Sequence, residues 1–278
     1  MKRLRLSILV LTLIVVLAVF YFVRLNSVRV ENVDLQSQLT GRVLPYSVIL
    51  PRGYVVPGRR YPVLYLLHGH GGDHSSWIAH TKLTDYLAGL NLIIVTPEGQ
   101  QGWYTDSDTD QSEKFESYVI KELIPDVEKH FRVIPERKAR AIAGLSMGGY
   151  GALKFGLKYP QLFAFAGSLS GAFNAPLRTD GGSIMRTFGP VNSTTRQEND
   201  LKKIAAGVTP ASLPQLYIDC GTDDPFLASN RALHADLDRL SIKHDYREQP
   251  GAHDWAYWNQ QIRVLLPVAA AAVSPDRQ

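Results

Sequence analysis

The chain has 278 residues, 45% hydrophobic and 20% charged, with 22 Gly and 16 Pro spread along it. These globular proportions exclude a disordered, collagenous or coiled-coil protein, and one Cys excludes a disulfide framework or a thiolate cluster. Of the formal charge of +4, Lys2, Arg3, Arg5, Arg24 and Arg29 against Glu31 and Asp34 place +3 in residues 1–35, so the rest lacks the basic excess of a nucleic-acid binder.

Leu6 to Val23 is an uncharged run of 18 residues behind three basic ones. As a helix it would span roughly 27 Å, close to the ~30 Å hydrocarbon layer of a bilayer. Its end, Ala18-Val19-Phe20-Tyr21-Phe22-Val23, is bulky where a cleaved signal ends in small residues. The reading is therefore an uncleaved signal anchor, with a secreted, signal-cleaved protein as the alternative. The basic N-terminus argues for N-inside, with the following domain extracytoplasmic, either periplasmic or at the cell surface.

Val43 to Leu50, Pro62 to Leu67 and Asn91 to Thr96 read as strands separated by Gly- and Pro-containing turns. Ser112 to His130 has helical spacing, with Pro125 expected to kink it. Ala139 to Leu145 is a strand running into a glycine-rich turn and a helix from Met147 to Lys158. Later strands fall at Phe163–Leu169, Gln215–Asp219 and His244–Gln249, and helices at Leu227–Leu240 and Asp254–Leu266. This alternation predicts an α/β protein with a mainly parallel sheet and helices on both faces. Gly171 to Pro214, with weaker periodicity, reads as an insertion able to cover a substrate. Asn192-Ser193-Thr194 spells a glycosylation sequon of little weight.

The strongest local signal is Gly144-Leu145-Ser146-Met147-Gly148-Gly149, a G-x-S-x-G turn between strand and helix. Such a turn projects the Ser146 hydroxyl above the sheet and aims the helix N-terminus at developing negative charge. A serine needs a base, and the base a carboxylate, here in the order Ser, acid, His. Asp219-Cys220-Gly221-Thr222-Asp223-Asp224-Pro225 and Pro250-Gly251-Ala252-His253-Asp254-Trp255 supply them. His253 lies in a loop past a strand and is the better base; His234 and His244 read as helix or strand residues. Asp223 and Asp224 compete for the acid, since either can also be turn or cap chemistry. Cys220 reads as a buried small residue.

The segment Leu66-Leu67-His68-Gly69-His70-Gly71-Gly72-Asp73-His74 can offer a backbone amide to an oxyanion beside that of Met147. His68, His70, Asp73 and His74 also resemble the H-x-H-x-D-H zinc motif of metallo-β-lactamase-like hydrolases. Two glycines stand where that motif has one residue, and zinc demands near-fixed geometry. No metal or other cofactor is expected. Trp103 and Tyr104 can stack on an aryl or sugar group or simply pack.

Together, Gly-Leu-Ser-Met-Gly-Gly-Tyr-Gly-Ala, the His68–Gly72 loop, Cys-Gly-Thr-Asp-Asp-Pro-Phe-Leu and Gly-Ala-His-Asp-Trp resemble the esterase D/antigen 85-like esterase family over Leu35 to Pro267. That family includes S-formylglutathione hydrolases, feruloyl and acetylxylan esterases, and mycolyltransferases. The resemblance implies an α/β-hydrolase fold, Asp224 rather than Asp223 as the acid, and the amides of His70 and Met147 as the oxyanion hole. Many members are cytoplasmic, so the N-terminal segment is a departure from the family.

The resulting expectation is a serine carboxylic-ester hydrolase with catalytic Ser146, Asp224 and His253, oxyanion amides at His70 and Met147, and substrate contacts at Trp103 and Tyr104. Its expected substrate is a small-molecule or carbohydrate-linked acyl, acetyl or feruloyl ester; no nucleic acid is a partner. Alternatives are an acyltransferase of the mycolyltransferase type or an S-formylglutathione hydrolase, with a metallohydrolase last. Residues 1–24 read as anchor or signal, with the membrane contact at 6–23. Residues 25–34 read as a connector, 35–267 as the esterase domain and 268–278 as a flexible tail.

Overall fold

The computed structural model describes residues 12–19, 25 and 27–274. Among these residues eight strands form one sheet: β1 (Arg29–Gln36), β2 (Val43–Leu50), β3 (Val63–Leu67), β4 (Ile93–Pro97), β5 (Arg140–Leu145), β6 (Phe165–Leu169), β7 (Gln215–Gly221) and β8 (His244–Gln249). Their spatial order is β1-β2-β4-β3-β5-β6-β7-β8. β1 and β2 join antiparallel, as do β2 and β4, and every later neighbour is parallel.

A parallel sheet must be covered on both faces, because its crossover helices pack there. The period-two alternation of the strands meets this demand. Along β3, Val63, Tyr65 and Leu67 enter one apolar cluster while Leu64 and Leu66 enter the other. Helices Met147–Lys158 and Leu227–Arg239 close the first face. Ser76–His80, Leu83–Tyr86 and Trp255–Ala272 close the second. The expected α/β-hydrolase arrangement is thus met by a mainly parallel sheet between helical layers.

Two expectations need correction. Residues 25–34, read as a connector, contain most of β1, which pairs with β2 over its full length. Its sequence, Arg-Val-Glu-Asn-Val-Asp-Leu-Gln, is largely exposed, as suits an edge strand that discourages further pairing, so it lacks a clear apolar alternation. At the other end, the tail read as flexible from residue 268 continues as helix to Ala272, with Ala269 and Val273 fully buried against the second cluster. Alanine is the strongest helix former, and the run Val-Ala-Ala-Ala-Ala carries the helix on. Around Pro125 the helical run is not α throughout: it widens into a π turn at Val119–Leu123 and passes without a break into the α-helix Ile124–His130, a local irregularity that accommodates a residue without an N–H.

Residues 12–19 are helical, and the rest of the Leu6–Val23 run lies outside the described residues, as do 275–278. Among the described residues, no helix is long and apolar enough to cross a membrane. The insertion between β6 and β7 holds short helices at Gly182–Phe188, Thr194–Glu198 and Leu201–Ala206. The Asn192-Ser193-Thr194 spelling marks a helix start: the Ser193 hydroxyl accepts from the Arg196 amide at 3.2 Å.

A buried charge network ties the helix after β5 to the loop after β4. Lys154, fully buried, donates to the Tyr104 carbonyl (2.7 Å), Thr105 Oγ1 (2.7 Å) and Glu116 Oε2 (2.8 Å), which uses all three of its protons. Glu116 also receives Lys158 at 2.7 Å and the Tyr159 hydroxyl at 2.5 Å. Burial pushes the Glu116 carboxyl up, but the two lysines outweigh it and pull it down to about 2. Burial lowers the Lys154 ammonium to about 8 against the opposing pull of Glu116, so the pair favours the carboxylate at the lysine's expense. Removing one member should therefore cost more than removing both. Glu116→Gln is expected to lose about 3 kcal/mol in urea unfolding, and adding Lys154→Met to recover part of it. Because the folded-state pKa of Glu116 lies below its ordinary 4.5, its contribution is full above that pH and lost as pH falls toward 2. The parent should lose more stability than Glu116→Gln over that interval, and parallel pH profiles would refute the assignment.

Candidate active site

Parallel strands end at one edge of the sheet, and the loops after β5, β7 and β8 meet there. β5 stops at Leu145 and the next helix starts at Met147, so Ser146 alone makes the turn, at φ 53° and ψ −117°. Its N–H donates to the Leu169 carbonyl at 3.0 Å, and its own carbonyl accepts from Tyr150 (3.0 Å) and Ala172 (3.1 Å). The turn closes only with glycine on either side. A Cβ on Gly144 would lie 2.5 Å from the Gly148 backbone, and one on Gly148 would lie 2.5 Å from the Leu67 carbonyl.

Asp224 follows β7, held by its N–H to the Gly221 carbonyl (3.2 Å). His253 follows β8, just before Asp254, whose side chain caps the helix Trp255–Ala272 by accepting from the Tyr257 amide at 2.8 Å. The two loops are laced together, with the Asp223 N–H donating to the Gly251 carbonyl at 2.9 Å. His253 Nδ1 lies 2.8 Å from Asp224 Oδ2, and His253 Nε2 lies 3.0 Å from Ser146 Oγ. With Nδ1 protonated toward the carboxylate, Nε2 is free to accept the serine proton. Burial pushes the Asp224 carboxyl up, but His253, the Phe226 amide at 2.8 Å and the Ser170 hydroxyl outweigh it and hold it below the usual carboxylate range. Asp223 is exposed and Asp224 buried, and it is Asp224 that lies within hydrogen-bonding distance of His253.

The loop after β3 completes the surroundings. Gly69 packs so tightly on the turn that a Cβ there would meet Leu145 Cδ1 at 2.5 Å and Ser146 Cβ at 3.3 Å. Gly69, His70, Gly71, Ser146, His253, Trp255 and Trp258 line one cavity of about 210 Å³. The Met147 amide, at the first turn of its helix, has no intrahelical acceptor and faces the same end of the sheet. Such an arrangement can deprotonate a hydroxyl and offer N–H groups to a nearby anion. A larger groove of about 670 Å³, lined by residues such as Leu213, Pro214 and Lys243, lies toward the starts of β7 and β8, away from these groups.

Residues 37–267 match the family model Esterase, described as "Putative esterase". The chain belongs to the Esterase family. It is 32% identical over 220 residues to an acetyl esterase of Caldicellulosiruptor saccharolyticus, covering 74% of this chain and 82% of that protein. It is 34% identical over 239 residues to an esterase of Mycobacterium tuberculosis, covering 74% of this chain and about half (52%) of that longer protein. Among solved structures, a ferulic acid esterase superposes with a TM-score of 0.79 at 28% identity, covering 89% of this chain and 99% of the other. A substrate-bound fluorophosphonate-binding serine hydrolase of Staphylococcus aureus gives 0.80 at 25% identity, covering 88% and 99%. The protein is an esterase-family enzyme, as its motifs led one to expect.

Within this esterase, the aromatic pair expected to touch substrate lies inward. Tyr104 is fully buried: its hydroxyl donates to the His68 carbonyl at 3.2 Å, and its ring fills the space that Cβ atoms on Gly99 and Gly151 would need. It presents no face to a ligand. Trp103 is 4% exposed, packed against Phe188 and Tyr150, and its Nε1 donates to Ser183 Oγ at 3.2 Å. That same Ser183 oxygen lies 3.0 Å from His70 Nε2, so Trp103 supports the His70 loop from behind. Burial first, then Arg178 and Arg186, hold the His70 imidazole below its ordinary pKa. His68 is buried with both ring nitrogens engaged by backbone: Nδ1 donates to the Gly69 carbonyl (2.7 Å) and Nε2 accepts from the Gly99 amide (2.9 Å). It serves as a loop brace rather than half of a metal-binding pair.

Sequence reasoning missed Ser170, Trp258 and His80. Ser170 follows β6 at φ 54°, receives Trp258 Nε1 at 3.1 Å and bonds the Asp224 carboxylate. Trp258 also meets the His253 ring edge-on at 4.8 Å, with Phe226 flanking it at 5.0 Å. His80 stacks on Trp255 at 4.8 Å and lines the cavity. The end of β6 was a usable signal for Ser170, since polar residues there face the same edge. Cys220 is buried, and burial raises its thiol pKa, in keeping with a small core residue. Asp224→Asn should lower kcat by about 10⁴-fold, because an amide favours the wrong imidazole tautomer. Asp223→Asn should stay near the parent; equal losses in two folded variants would refute the distinction between them.

Proposed function

We propose that this enzyme is a serine carboxylic-ester hydrolase acting through a Ser146–His253–Asp224 triad. The observation that carries the reading is the continuous hydrogen-bonded path from Ser146 Oγ through both His253 nitrogens to Asp224 Oδ2, at 3.0 and 2.8 Å. Ser146 Oγ attacks the ester carbonyl as its proton passes to His253 Nε2, and Asp224 stabilises the imidazolium so formed. The amides of His70 and Met147 take the tetrahedral oxyanion. The protonated His253 then gives its proton to the departing alkoxide, leaving an acyl-Ser146. Water, deprotonated by the same nitrogen, adds to that acyl group, and His253 returns the proton to Ser146 Oγ as the carboxylic acid is released.

The small cavity, bounded by glycines, Trp255 and Trp258, favours a short acyl group such as acetyl on a small or carbohydrate-linked alcohol. The acetyl esterase relative supports a short acyl group, and the ferulic acid esterase neighbour supports the wider class of carboxylic esters. The N-terminal segment forms part of the same proposal. Residues 12–19 expose Leu13, Ile14, Val15, Val16, Leu17 and Val19 by more than half, as a lipid-facing helix would. With basic residues preceding it, the segment holds the enzyme at a membrane with its domain outside the cytoplasm.

Ser146→Ala is expected to reduce hydrolysis of an acetyl ester by at least about 10⁴-fold with an unchanged unfolding midpoint. A folded variant within tenfold of the parent would overturn the triad. Across acyl esters with one leaving group, kcat/KM should fall as the acyl chain lengthens; a long-chain preference would contradict the small-acyl reading. Fractionation of cells making the full chain should find it in the membrane with its N-terminus intact. Recovery of a shortened soluble product would make the segment a cleaved signal, and a domain shielded on the cytoplasmic side would sink the topology.

A further inference from the structure

Far from the triad, at the start of β8, two histidines and an aspartate converge. His234 and Asp238 stand one turn apart on the helix Leu227–Arg239, and His244 opens β8 across the short connection that follows. One ligand atom from each lies within 4.8 Å of the other two, the one such group among the described residues. His234 Nδ1 is 2.7 Å from His244 Nε2, His244 Nε2 is 4.0 Å from Asp238 Oδ1, and His234 Nε2 is 3.5 Å from Asp238 Oδ2.

The histidines are oriented as ligands usually are. His244 has its side chain 2% exposed, and its Nδ1 donates to the Ile242 carbonyl at 2.8 Å, which leaves the Nε2 lone pair pointing at His234. A backbone acceptor on the far nitrogen is the outer support that fixes the tautomer of a metal-binding imidazole. The His234 ring lies flat on Tyr246, 4.1 Å away with an interplanar angle of 6°, so it too has little freedom to rotate. Neighbouring arginines have acidic partners: Arg231 pairs with Glu248, and Arg239 with Asp236. Asp238 is 62% exposed, which leaves an entry path from solvent.

We propose that His234 Nδ1, His244 Nε2 and Asp238 Oδ1 form a binding site for a zinc-like divalent cation, with water as the fourth ligand. Two imidazoles and one carboxylate match a borderline cation and not calcium or magnesium, which prefer all-oxygen sets. Tetrahedral ligands sit roughly 3.3 Å apart. The His234–His244 separation must therefore widen and the His244–Asp238 separation close, each by well under 1 Å. The proton that His234 Nδ1 shares with His244 moves to His234 Nε2, the other tautomer of the neutral ring, so no proton need be released. Bound there, the cation clips the helix that begins just after Asp224 to the strand that ends just before His253. Its role is structural, at the opposite end of β8 from the chemistry.

The test is titration of the chelator-stripped full chain with zinc chloride, with calcium and magnesium chloride as controls, together with thermal unfolding at each concentration. One equivalent of zinc should bind and raise the unfolding midpoint, while calcium and magnesium do neither. His234→Ala and Asp238→Ala, at the more exposed positions, should each weaken zinc at least about tenfold and reduce the midpoint shift. Absence of zinc uptake by the parent would overturn the site. So would uptake of undiminished affinity in both variants, which would assign the metal to other histidines.

Discussion

A parallel strand and the helix after it run in nearly opposite directions, and one residue separates Leu145 from Met147. Ser146 therefore absorbs the whole reversal in its own dihedral angles, in a region that L-residues seldom enter. Strain of this kind costs on the order of 1–3 kcal/mol and persists only where surroundings over-determine it. Three backbone hydrogen bonds to Ser146 do so here. The tightness then spreads outward: Gly148 lies against the Leu67 carbonyl of β3, and Gly69 lies against Leu145 and Ser146. The spacing of β3, β5, the following helix and the His68–Gly72 loop is thus one coupled quantity, fixed by a single turn.

Around that turn, buried polar groups are braced in series. His68 is fixed through both ring nitrogens, Lys154 through all three protons, and Asp224 by a histidine, an amide and the hydroxyl of Ser170. In a low-dielectric setting such contacts rigidify a site, because breaking one leaves a costly orphan. The Lys154 network also holds the carbonyl of Tyr104, in a loop whose Trp103 and Tyr104 both have positive φ. The region beneath the cavity is consequently built as stiff scaffold, and adaptable contacts are left to its rim.

Much of this was legible in the sequence. The strand–glycine–helix pattern located Ser146 and the order of motifs located His253; that order left Asp223 and Asp224 competing, the family resemblance pointed to Asp224, and the fold brings these three within hydrogen-bonding distance. What failed did so for definable reasons. β1 is an edge strand whose charged, exposed residues hide its periodicity. Trp103 and Tyr104 resembled a stacking platform because aromatic rings beside glycines are equally good ligand surfaces and core plugs; Gly99 and Gly151 turned out to be the hole that Tyr104 fills. Ser170 and Trp258 act through tertiary contacts between segments 88 residues apart, which no local pattern encodes. The His234–Asp238 spacing was visible on a helix, but its meeting with His244 depends on how β8 docks.

β8 lies at one edge of the sheet, hydrogen-bonded on a single side to β7, and its residues are mostly half-exposed. It also leads directly to His253. An outer strand with little apolar burial belongs to the part of a fold that opens most readily, well before the central strands part. Were β8 to detach, His253 would move away while Ser146 stayed locked in its strained turn, and under the proposed mechanism the enzyme would be folded but chemically silent. Heat or denaturant would then extinguish activity ahead of the cooperative collapse of the core. The working temperature of the enzyme would be set by the hold of this one peripheral strand, not by the large apolar interior beside it.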